Sequence, residues 1–161
     1  MAKGQGGNQV SITLEGDLKA QLEQFAENVR TEVLRPTVYA AARVLYDEVR
    51  IRVPVDEGTL YGAVYHWHSE KESTAGRVVY YVGVNKKKAP HWHLVEFGHY
   101  RTNELVRVNG RWMATTRRLE TPVWVPAYPY IRPSYDAKIG AALQSALDRA
   151  GEKIEEIANG G

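Results

Sequence analysis

The chain contains no cysteine among its 161 residues, so disulfides and thiolate zinc sites are excluded outright. It has no apolar run long enough to span a bilayer, and its N-terminus has no secretory pattern. Charge of one sign is not in excess. A net charge of +2 is too small to argue for nucleic acid on its own. Catalytic signatures are also lacking: there is no Gly-x-Ser-x-Gly elbow, no phosphate-binding glycine loop before a helix, and no His-Glu-x-x-His spacing. These absences shift the expectation from chemistry towards binding or assembly, with no cofactor required. Aromatic rings are abundant instead. Ten Tyr and four Trp suit surfaces where one end of a ring is dry and the other wet. At this length one domain with a proper core is expected.

The chain is organised around Val53-Pro54-Val55-Asp56-Glu57-Gly58-Thr59-Leu60. Before it the pattern is helical, and after it the pattern is that of strands. Pro54 cannot sit inside a helix, Asp56 can bond its own backbone, and Gly58 can take positive φ, so the stretch is a tight turn. Upstream, Met1–Asn8 is Gly-rich and polar and is expected to be a flexible arm over residues 1–9. Val10, Ile12 and Leu14 alternate as a short strand or extended lead-in, and Asp17 is a candidate N-cap. Leu18, Leu22, Phe25, Val29 and Val33 form one apolar stripe. Val38, Ala41, Ala42, Leu45 and Val49 resume it beyond Pro36. The spacing predicts two helices, or one kinked helix, with Pro36 in the first turn of the second. Arg43, Asp47, Glu48, Arg50 and Arg52 lie on the other face, as solvated charge or as an oligomer contact.

Leu60–Ser69 and Arg77–Asn85 are rich in aromatic and β-branched residues and are expected to pair as antiparallel strands. Lys86-Lys87-Lys88 reads as a solvated loop, with an acidic partner or DNA phosphate as the alternative. His91–Gly98 is expected to begin as strand and to pack Leu94-Val95-Glu96-Phe97 at the sheet. Within 99–125, Asn109-Gly110 between alternating arms signals a hairpin, either projecting as an arm or extending the sheet. Pro122, Pro126, Pro129 and Pro133 then argue for an extended surface run through Tyr128–Pro133. Ser134 is a candidate N-cap for a last helix with Ile139, Ala142, Leu143, Ala146, Leu147, Ala150 and Ile154 as its stripe. Residues 10–158 are read as one α+β domain: long N-terminal helices and a C-terminal helix packed on an antiparallel sheet, with a projecting hairpin arm. Residues 159–161 are read as a frayed end.

His66-Trp67-His68 and His91-Trp92-His93 carry the sharpest enzyme-like pattern. On a strand, His-x-His puts both rings on one face, and imidazole is a common zinc ligand. Glu96 or His99 would complete a shell for a metal-dependent hydrolase. Surface or interface histidines are the plainer reading, and no metal site is expected. Adjacent acids such as Asp47 with Glu48 and Glu155 with Glu156 point apart on a helix and read as solubility.

Three separated stretches together resemble one family. Pro54-Val55-Asp56-Glu57-Gly58-Thr59-Leu60 is similar to a Pro-Val-Asp-x-Gly-x-Leu turn after a helix. Leu94-Val95-Glu96-Phe97-Gly98 is similar to a Val-Glu-Phe-Gly motif, and Pro129-Tyr130-Ile131-Arg132-Pro133 to a Pro-Phe-x-Arg-Pro segment before a helix. The family is that of tail-completion, or neck, proteins of long-tailed bacteriophages, also described as minor tail components. The resemblance covers roughly residues 37–157 in order. It implies a non-enzymatic virion protein, made in the host cytoplasm and forming a homo-oligomeric ring, with a hexamer as the expected state. Its expected partners are the tail tube or a tail terminator on one side and a head-closure or adaptor protein on the other. No membrane and no sequence-specific nucleic acid are implied, although DNA could pass through the lumen. Another neck ring component, such as a tail terminator, is the alternative within this class. Pro54, Asp56, Gly58, Leu60, Glu96, Phe97, Gly98, Pro129, Arg132 and Pro133 are read as holding the fold, with Glu96 expected to satisfy backbone or Arg132 beside the sheet and Pro133 to start the last helix. The candidate contact residues are Arg107, Trp112, Arg117, Arg118, Trp124 and Tyr128.

Overall fold

In the computed structural model, residues 18–56, 58–74 and 76–159 are described. The arm, the strand expected at Val10–Leu14 and the Asp17 cap lie outside them, as do Glu57 of the turn and the last two glycines.

The first half is a single helical rod. Helix α1 (Leu18–Asn28) passes through a π-helical turn (Val29–Leu34) into α2 (Arg35–Arg52). Pro36 sits at the start of α2. A proline has no N–H to give and crowds the carbonyl four residues back. The wider turn just upstream, where Arg35 N–H reaches back to Arg30 O, absorbs that defect without breaking the rod. The rod ends at Val53, whose backbone turns extended before Pro54, as the residue before a proline must. Gly58 then takes φ 78°.

Leu60 and the 3₁₀ turn Tyr61–Ala63 bring the chain back to strand β1 (Val64–His68). The strand begins later than its aromatic composition suggested, because Leu60 and Ala63 turn inward to close the core. β1 pairs antiparallel with β2 (Tyr80–Val84), in a register that sets Val64 opposite Val84 and Trp67 opposite Tyr81. The Lys86–Lys88 loop is an exposed turn, held by Asn85 Oδ1, which accepts the N–H of Lys87 at 2.9 Å.

The expected strand at His91 is instead a short helix, α3 (Trp92–Phe97), ended by Gly98 at φ 73°. Two residues drive the difference: Trp92 and Val95, at helical spacing, pack on the core, whereas Phe97, expected to pack at the sheet, is turned out and 67% exposed. Strands β3 (His99–Val108) and β4 (Arg111–Val125) form a second two-stranded sheet, separate from the first. The hairpin therefore does not extend β1–β2. Asn109 at φ 51° and Gly110 at φ 84° make its turn, both left-handed as the sequence pattern requires. Register shifts between Arg101 and Asn103, and between Asn103 and Leu105, place extra β4 residues opposite β3. Pro122 falls in this irregular stretch, so a proline is tolerated inside β4.

Helix α4 (Ile131–Ala158) runs antiparallel along α2. Lys138 lies 3.9 Å from Glu48, and Lys153, Glu156 and Ile157 lie beside Thr31, Glu32 and Pro36. Its cap position is Tyr130, not Ser134. Ser134 is buried inside the first turn, and its N–H donates to Tyr130 O at 3.3 Å. Of the Tyr128–Pro133 run, Tyr128 and Pro129 lie exposed with Tyr130 as the buried ring anchor, but Ile131–Pro133 are already the first turn of α4 and not extended. Val49, Val53, Leu60, Ala63, Val64, Ala89 and Tyr130 form the core, where α2, the first sheet, α3 and the start of α4 converge.

Two apolar stripes are only half used. On α4, Ala142 is buried, but Leu143, Leu147 and Ile154 are exposed; on α1, Leu22 and Phe25 are exposed. The polar face of α2 departs in the opposite sense. Glu48 is buried and held by Arg52 at 2.6 Å, and the Arg50 guanidinium lies 4.1 Å from the Tyr61 ring centroid.

Candidate assembly surfaces

The three resembling stretches meet in one place. Glu96 is buried on α3, and its carboxylate faces the start of α4. Oε2 accepts the N–H of Tyr130 at 2.8 Å and of Ile131 at 3.1 Å, and Oε1 accepts that of Arg132 at 3.2 Å. The first N–H groups of a helix have no partner within it, and an anion there also meets the positive end of the helix dipole. Glu96 therefore does the work of an N-cap from a distant part of the chain. Tyr128 N–H donates to Val95 O at 2.8 Å and ties the approach segment to the same helix. Tyr130 sits beneath this clasp. Burial, with the nearby Glu96 charge, pushes its phenol up to about 12. Its hydroxyl has no hydrogen-bond partner among the described residues.

Gly98 joins the clasp to the hairpin. A Cβ there would lie 2.8 Å from Trp124, 2.9 Å from Ala127 N and 2.9 Å from Val125 O. Backbone and indole thus close over a position that only glycine fills. Trp124 in turn meets Tyr100 edge to face, with centroids 4.9 Å apart. The root of the hairpin is locked to α3 by these contacts.

Beyond the root, the hairpin is largely exposed. Arg107 pairs across strands with Trp112, so both lie on one face near the tip, and Trp112 is 67% exposed. Arg107 Nε donates to Gly110 O at 3.2 Å. Arg117 lies 3.4 Å from Glu104, and Arg118 stands opposite Asn103, both midway along the arm. Trp124 and Tyr128 remain at the root. The six candidate contact residues are therefore spread from tip to root and do not form one patch.

Two features escaped the sequence reading. One is a groove of about 500 Å³ between the Pro54–Leu60 turn, α3 and the hairpin root, lined by Pro54, Leu60, Leu94, Val95, Pro126 and Tyr128 among others, with Asp56 and His99 also at it. The other is an outward ladder of rings on the first sheet. Tyr65 and Trp67 stack at 4.6 Å, Trp67 and Tyr81 stack at 4.9 Å, and Trp67 lies over Gly83. Tyr81 donates its hydroxyl to Glu72, which raises its phenol above the usual value. Strand alternation on β1, which sets Trp67 opposite in direction to His66 and His68, was the available signal.

The histidines divide. His66 turns inward and meets the rings of Tyr39 and Tyr46, with centroids at 5.4 and 5.0 Å. His68 bonds Ser73 Oγ at 3.1 Å. His91 and His93 flank the start of a helix, so the strand geometry that would align them is lost. Among the described residues no three His, Asp or Glu side chains come together to hold a metal ion. No described helix is long and apolar enough to cross a membrane.

Comparison with known sequences agrees with the first two of the three motif stretches. The profile of the family described as "Bacteriophage HK97-gp10, putative tail-component" matches residues 16–98, more than half of the chain. The match takes in the rod, the Pro54–Leu60 turn, the first sheet and Glu96, and it stops where the hairpin begins. No curated protein and no solved structure matches the chain significantly. The protein belongs to the HK97-gp10-like family of bacteriophage tail components.

Proposed function

We propose that the protein is a structural, non-enzymatic component of the phage head–tail junction. Copies of it form a homo-oligomeric ring that joins the tail tube to the head-closure side, and in the virion it resides in the neck. Family membership supports the tail assignment. The observation that carries the junction reading is the hairpin of 99–125: a rigidly rooted arm that exposes Trp112, Met113 and Val108 to solvent. Exposed apolar groups on a long projecting element serve a partner better than they serve the monomer. The unused stripes of α1 and α4 point the same way.

The test is made on assembled particles. Mass spectrometry of purified virions should find the chain, and labelled copies should image at the neck. Removing Leu105 to Thr116 should leave a folded protein that no longer joins heads to tails. Absence from virions, or normal joining by the shortened chain, would overturn the proposal.

A further inference from the structure

We propose that the hairpin tip of one copy docks, Trp112 first, into the groove at the hairpin root of a second copy. This rests on the ring reading above and specifies its contact.

The two surfaces match in chemistry. The tip face carries the Trp112 indole beside the Arg107 guanidinium, with Leu105 and Ala114 paired next along the same face. The groove has an apolar wall, with Pro54, Leu60, Leu94 and Val95 in it, and a carboxylate from Asp56. Asp56 is exposed and has no ion pair among the described residues. An aromatic anchor entering an apolar cleft with a charge pair at its edge is how interface hot spots are built. A cleft of about 500 Å³ is large enough to take an indole and its neighbours.

The geometry selects a second copy as the occupant. His99 and Val125, the first register pair of the hairpin, both line the groove. The tip lies some ten residues of strand further on, about 30 Å away. A paired ribbon anchored at Gly98 cannot bend back through that distance to reach its own root. Each chain thus carries a knob and a hole at separate places. That arrangement satisfies neither within one chain and both in a head-to-tail series, which becomes a ring when the rotation closes.

The absence of cysteine makes the contact directly testable. One preparation carries Ala114→Cys on the Trp112 face, and another carries Thr59→Cys at the groove; both positions are exposed. The two are mixed and oxidised, and the products are resolved by mass, with native mass measured on the unmodified chain. The expected result is a mixed disulfide dimer. Adding Trp112→Ala to the first partner should slow its formation about tenfold or more. Arg107→Asp should slow it as well, and Asp56→Arg in the other partner should restore it. If the chain oligomerises without a mixed disulfide, or cross-links equally well without Trp112, the groove contact is wrong and the ring reading stands. If it stays a single chain at every concentration, and virions lack it, both fall together.

Discussion

Glu96 and Tyr130 are separated by a hairpin in the sequence, yet a carboxylate oxygen of the first accepts the backbone N–H of the second at 2.8 Å. The same side chain accepts two further N–H groups at the start of α4. Charge-assisted bonds at a buried helix start are worth more than ordinary caps. Glu96→Ala should therefore cost about 3 kcal/mol in urea unfolding. Glu96→Gln, which keeps one acceptor oxygen, should cost less. Equal stability of the Ala variant and the parent would refute the cap.

Tyr130 itself supplies a pH test. Its phenol is raised to about 12 in the folded chain, against about 10 when unfolded. Above pH 10 the unfolded chain binds fewer protons than the folded one, so stability falls with rising pH until about 12 and then levels. The loss should be about 3 kcal/mol across that window. Tyr130→Phe should abolish this part of the decline. Because the hydroxyl is buried without a partner among the described residues, the same variant should match or exceed the parent at neutral pH.

Gly98→Ala and Gly62→Ala make a matched pair. The first adds a methyl against Trp124 and two backbone atoms at positive φ, and it should cost upwards of about 2 kcal/mol. The second meets nothing within 4 Å and should change stability by about 0.5 kcal/mol or less. Thermal unfolding of both variants separates a steric lock from a general dislike of lost glycines.

Leucine burial is unequal in a way the monomer should reveal. Leu60→Ala should cost about 3 kcal/mol, since the side chain is 5% exposed in the core. Leu147→Ala removes the same atoms from a site 67% exposed and should cost under about 0.5 kcal/mol. A large loss at Leu147 in dilute monomer would overturn its place on the solvent face of α4.

Local chemistry was legible in the sequence, and of the long-range chemistry only the reach of Glu96 to the backbone near Arg132 was. The Pro54–Gly58 turn and the Asn109-Gly110 hairpin follow from backbone preferences of the residues themselves. Pro36 announced its position, but the π-turn that accommodates it depends on the whole rod. Ser134 looked like a cap because a side chain three residues into the helix cannot declare that Glu96 already fills the role. A six-residue helix at α3 carries too short a period to be told from a strand. The stripes on α1 and α4 were visible as apolar, whereas their exposure depends on how far each helix runs past its neighbour. The pairing of Glu48 with Arg52 four residues on was legible, but its burial was not, because that depends on α4, which brings Lys138 beside it. The groove could not be foreseen, since its walls come from three separate segments.

The sparse core has a consequence for the life of the molecule before assembly. With so few side chains fully enclosed, a copy that finds no place in a particle should open often and be cleared by cellular proteases. Turnover would then trim supply to demand: chains held in a particle are shielded, and surplus ones are degraded.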